Sequence, residues 1–190
     1  ESIMKPIRFN KEKDIREAAV KERLIDIRTA QEAFKSVKGR YTGSFDTLVT
    51  FLKTDSLPLV FKRGSLTDEM IAEGITSERE AVKKGLISRD TSYIAVRDSV
   101  FDKNYPIDQL RYVPGLEKTE FQMAASTVMT TSMVLVNVFE AYVLNDVFLA
   151  DLDRQLVVNY NDQRTKITGF PGMKVGDIRV PNNNAGNWED

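Results

Sequence analysis

The feature that most constrains this chain is an apolar stripe near its start. Val20, Leu24, Ile27, Ala30, Phe34 and Val37 recur at three- and four-residue steps, with charged side chains filling most positions between them. Such spacing places one greasy seam along an α-helix. The pattern predicts a helix from Lys11 to about Lys38, with Asn10 as its N-cap and residues 1–10, which include Pro6, as a lead-in. About 28 residues of helix would be about 42 Å long, more than a compact domain requires, so the N-terminal part is expected to project.

The stop is equally legible. Gly39 supplies the left-handed conformation that closes a helix. Tyr41-Thr42-Gly43 turns the chain, Ser44 is placed to cap, and Phe45, Leu48, Val49 and Leu52 give a second, shorter helix an apolar face. A connection this short folds the second helix back beside the end of the first.

Further on, Ser65 to Gly85 reads as two small helices, the second capped by Ser77 with Glu80 at capping-box spacing. Thr91 to Phe101 alternates as a strand. Phe121, Met123 and Ala125 mark another strand, and Val134, Val136 and Val138 a third, joined at Thr130-Thr131 as an antiparallel hairpin. Phe148 to Val158 fits either helix or strand. Gly169 to Gly176 reads as a loop, and the tail from Pro181 as irregular. No linker or repeat divides the sequence. The expectation is a single α+β domain over 11–190, its long N-terminal helix packed on an antiparallel sheet.

Composition narrows the chemistry. The chain has no cysteine and no histidine, which removes thiol nucleophiles, thiolate and imidazole metal sites, and the triads that need them. A net charge of −1 over 190 residues offers nucleic acid no general attraction. The one helix-turn-helix-like stretch, with Arg79, Lys83 and Lys84 set against Glu78 and Glu80, adds none. No run of apolar residues is long enough to span a bilayer.

Two resemblances add to this reading. A long amphipathic helix, then "KGRYTGSFDTLVTFL", then a sheet resembles the periplasmic part of type IV pilins and pseudopilins. Gly39, Tyr41, Phe45 and Leu48 occupy the matching positions, with Thr42 where proline is usual. The segments "RLIDIRTAQEAFKSVKGRYTGSFDTL", "GSLTDEMI", "YPIDQLRYVPG", "VFLADLDRQL" and "NNNAGNWED" are similar to an envelope protein family of Bacteroides-type bacteria. That resemblance implies a single-pass anchor just before Glu1, a domain outside the cytoplasm, and an envelope protein as partner. It carries no catalytic residue or cofactor onto this chain.

The side chains that could bear function are few. Asp146, Asp151 and Asp153 form the densest carboxylate group, read as N-capping by Asp146 on a solvated face; Asp98 and Asp102 read as strand-end residues. Trp188 is read as a peg docking the tail, with ligand stacking as its alternative. Tyr105, Tyr112 and Tyr160 are candidates for a sugar- or peptide-binding surface. Val20, Leu24, Ile27 and Phe34 are read as the face that packs on the sheet, or else as a seam for another subunit. The resulting expectation is a non-enzymatic structural or interaction domain, with no metal and no cofactor. A glycan- or peptide-binding module comes second and a carboxylate hydrolase third.

Overall fold

A computed structural model describes residues 3–189. In chain order its elements are α1 (Met4–Lys38), α2 (Phe45–Thr54), β1 (Ser56–Arg63), α3 (Asp68–Ala72), α4 (Glu78–Lys83), β2 (Ser88–Ala95) and α5 (Val96–Val100). A 3-10 turn (Ile107–Gln109) precedes β3 (Tyr112–Val113), β4 (Leu116–Glu120), β5 (Gln122–Met129), β6 (Leu135–Leu144), α6 (Asn145–Phe148), α7 (Arg154–Thr168) and β7 (Gly172–Gly176). The class is α+β, with every strand pair antiparallel.

The backbone gathers into two compact units. One runs to Lys53 and resumes at Asn104; the other is Thr54–Lys103. The first boundary falls in the last turn of α2, so no linker-like composition marks it.

In the larger unit, β5-β6-β7 form a three-stranded sheet, and α1 packs against β6 and β7. Val20, Leu24, Ile27, Ala30 and Phe34 are all buried. Their 3.6-residue period keeps them on the side of α1 turned to the core. Phe34 meets Phe51 of α2 edge-on, centroids 5.1 Å apart, which ties the second helix to the end of the first. Gly39 closes α1 at φ 77°, its N–H bonded to Lys35 O, and Ser44 Oγ accepts from Thr47 N at 3.3 Å.

The turn between the helices is held by a residue inside the apolar stripe. Gln31 is fully buried. Its Nε2 donates to Thr42 O at 2.5 Å, and its Oε1 accepts from Thr42 N at 3.1 Å. One side-chain amide thus pairs with both backbone groups of Thr42 as a neighbouring strand would.

The smaller unit pairs β1 with β2 from Ser56↔Ala95 to Arg63↔Ser88. Its buried cluster is Ile75, Ala81 and Ile87, with Leu66, Met70 and Val82 packed against it. Ser77 caps α4 by accepting from Glu80 N.

Four expectations are corrected. The helix begins at Met4, not Lys11, and Asn10 is not its cap. Pro6 falls in the first turn, where the N–H that proline lacks has no intrahelical partner in any case. The strand expected over Thr91 to Phe101 ends at Ala95 and gives way to α5. Val96 and Val100 satisfy an i, i+4 spacing as readily as a two-residue alternation. The segment that fitted helix or strand is a turn from Leu149 to Leu152 and a helix from Arg154, and Asp153, rather than Asp146, is the N-cap, accepting from Leu156 N at 3.2 Å. The expected loop from Gly169 contains β7, which pairs with β6 from Leu144↔Gly172 to Glu140↔Gly176.

Candidate functional site

One flank of α1 carries Glu12, Ile15, Arg16, Ala19 and Arg23, spaced so that all look the same way. The β3–β4 hairpin turns at Val113-Pro114-Gly115-Leu116, and the tip borders two clefts along that flank. The first, about 570 Å³, is bounded by Arg23, Gln109, Tyr112 and the start of β4. The second, about 500 Å³, is bounded by Ile15, Arg16, Ala19, Val147, Phe148 and Asp151.

The arginines of the two clefts are engaged in holding the fold. Arg23 donates to the carbonyl oxygens of Gln109 and Tyr112, the latter at 2.8 Å. It thereby fixes the segment that leads into the hairpin. Arg16 reaches Asp151 with two nitrogens, one pair at 2.9 Å, and donates to Phe148 O at 3.0 Å and Glu12 at 2.9 Å. The guanidinium holds the Asp151 carboxyl below its usual range.

Two tyrosines extend the pattern around the helix. Tyr105 donates its hydroxyl to Asp26 at 2.6 Å. Burial first, and then that bond to a carboxylate, push the phenol's pKa up. Tyr160 of α7 donates to Glu17, and burial and its acceptor raise it likewise. Lys13 lies 4.6 Å from the Tyr160 ring centre.

The candidates from the sequence are therefore dispersed. Tyr112 lines the first cleft, whereas the hydroxyl of Tyr105 is bound to α1. Trp188 is half-buried in the tail, its ring closed over Gly186, where an added Cβ would lie 2.4 Å from the indole. Lys21 lies 5.9 Å from the ring centre, and neighbouring Glu189 binds Arg28 at 2.8 and 3.1 Å. Val20, Leu24, Ile27 and Phe34 lie inside the larger unit, so a seam for another subunit is not available on that face.

The aspartates divide too. Asp146 binds Arg154 and Asn161, Asp151 binds Arg16, and Asp153 caps α7. No group of three acidic residues placed to hold a metal occurs among the described residues. No helix among them is long and apolar enough to cross a membrane.

Sequence reasoning missed Gln31, Arg16 and Arg23. The signal for Gln31 was a lone amide within an apolar stripe. For the hairpin it was the Pro114-Gly115 pair, a turn signature. No family model, curated protein or solved structure matches the chain.

Proposed function

We propose that this chain is a non-enzymatic structural or protein-interaction domain, the extracytoplasmic part of a membrane-anchored envelope protein. In this reading it is pseudopilin-like in laying a long helix on an antiparallel sheet. The observation that carries the non-enzymatic role is the use of ionisable side chains along α1 and of their partners. Arg16, Arg23, Asp26, Tyr105 and Asp151 each serve to attach a distant segment to α1. An active site instead keeps such groups poised toward a reactant. The envelope setting rests on the resemblance of the quoted segments, and so does the anchor.

The test is cross-linking in intact cells with a photoreactive residue in place of Tyr112. The expected result is a small set of covalently captured envelope proteins. Turnover of any substrate in a hydrolase panel by the purified chain, lost on replacing Asp151 or Asp146, would overturn the reading.

The two clefts favour one alternative, a glycan- or peptide-binding module. They flank a single hairpin tip and would hold an extended ligand along α1. A ligand-dependent rise in melting temperature that disappears in Tyr112→Ala would put this reading first.

A further inference from the structure

The two edges of the three-stranded sheet are treated differently. The outer edge of β7 is covered by the tail: Gly176 N donates to Ala185 O at 3.0 Å, and Asn187 N donates to Lys174 O at 2.9 Å. Among the described residues, the outer edge of β5 is covered no further than Ala125. There a Cβ added to Gly43 would lie 3.4 Å from Ala125 N.

Which backbone groups of β5 look outward follows from the hairpin. Thr130 N donates to Val134 O, so alternation turns Val128, Ser126 and Ala124 toward β6. Ala125, Thr127 and Met129 then present their N–H and C=O outward, in agreement with the approach of Gly43 to Ala125. Beyond Ala125 this edge has no backbone partner among the described residues. The carbonyl of Thr127 meets only Ser126 Oγ, at 3.5 Å.

Open strand edges invite pairing, and proteins guard them with charge or proline. Here β1 carries Pro58, Lys62 and Arg63, β2 carries Arg89 and Asp90, and β4 carries Glu117, Lys118 and Glu120. By contrast, no charged residue or proline occurs from Phe121 to Phe139. At the end of this hairpin Met129, Met133, Val134 and Leu135 are each more than half exposed.

We infer that β5 pairs antiparallel with β5 of a second copy of this chain, about a two-fold axis at Val128. A copy of itself is the occupant the charges select, since an uncharged strand set against itself meets neither repulsion nor an unpaired ion. The register follows from the cover on Ala125. Only Thr127 and Met129 remain to pair, and a two-fold axis uses both when Thr127 faces the partner's Met129 and the reverse. That arrangement gives four backbone hydrogen bonds, sets Val128 against the partner's Val128, and joins two three-stranded sheets into one of six.

Absence of cysteine gives a direct test. Opposed residues at a non-hydrogen-bonded antiparallel pair have Cα atoms about 4.5 Å apart, within the range a disulfide bridges. Val128→Cys is therefore expected to form a covalent dimer on mild oxidation. In Ser126→Cys the two thiols sit four residues apart along the strands, about 13 Å, and do not cross-link. Sedimentation of the unmodified chain is expected to show a reversible monomer–dimer equilibrium. Thr127→Pro, which deletes an outward N–H and leaves the ladder to β6 intact, abolishes the dimer. Should that variant fail to fold, Val128→Lys opposes two like charges at the axis and gives the same result. A chain that stays monomeric at every concentration overturns the inference. So does cross-linking at 126 in place of 128, or a dimer that survives both substitutions.

Discussion

The two units use the same materials, antiparallel strands and short helices, and reach opposite burial. In the larger unit β6 lies between β5 and β7 with α1 packed against it, and Val138, Phe139, Ala141 and Val143 are buried. In the smaller unit β1 and β2 form a ribbon of two, and Leu59, Val60, Phe61 and Tyr93 remain exposed. Both strand sets are rich in residues that favour strands. What differs is a helix long enough to cover a sheet. A two-stranded ribbon is marginal without a partner layer. The smaller unit therefore rests on its compact cluster at Ile75, Ala81 and Ile87.

The largest expected effect attacks this contrast directly. Leu24 is fully buried in the seam of α1, so Leu24→Ala removes packing and leaves a cavity, a loss of about 3–5 kcal/mol. Phe61 is 58% exposed, and Phe61→Ala is expected to cost less than about 1 kcal/mol. Chemical denaturation of both variants measures the two losses. Equal values would mean that the ribbon is packed as firmly as the sheet. Amide exchange sharpens the point, because β1 and β2 should open at lower free energy than β6.

A smaller loss is expected within the larger unit, where one polar residue sits among apolar ones. Gln31→Leu keeps roughly the volume but leaves the N–H and C=O of buried Thr42 without their partner. Stranding each group costs about 1–3 kcal/mol, and the leucine gives part of that sum back because no side-chain amide has to be desolvated. Thermal unfolding reads the change. A variant as stable as the parent would show that the turn is fixed by Gly39 and by the Phe34–Phe51 contact alone.

The same residues explain how much was legible beforehand. Val20, Leu24, Ile27 and Phe34 announce a buried helix face because helical period is a local property, and the β5–β6 hairpin announces itself by alternation. β1 is silent, since Leu57, Leu59 and Val60 put apolar groups on both faces and Pro58 interrupts the run. β7 was hidden because five residues bounded by glycines become a strand only by pairing with β6, remote in sequence. Of the clefts, Tyr112 was visible as a residue type. Their walls were not, because Arg16 and Arg23 find their acceptors more than eighty residues away.

The smallest effect concerns pH, and it separates the two units by sign. In the larger unit, burial raises the Asp26 carboxyl pKa; the bond from Tyr105 opposes the shift and Glu22 adds to it. A carboxyl with a raised folded pKa contributes most below its unfolded value of about 3.9 and loses that contribution as pH rises through the folded value. Asp26→Asn keeps an acceptor for Tyr105 and removes the half-buried charge. It is expected to hold or gain stability at pH 7, the difference from the parent shrinking toward pH 3. In the smaller unit Glu78 sits between Lys62 and Arg89, which hold its pKa below the usual value. Its contribution is present above the unfolded value of about 4.3 and is lost in acid. Glu78→Gln should therefore weaken the smaller unit at pH 7 and leave it unchanged at pH 3, by an amount kept small by exposure. Unfolding curves at both pH values decide the matter: displacement of both variants in the same direction at pH 7 would show that a half-buried carboxylate and a more exposed one answer here to a common field, not to their own surroundings.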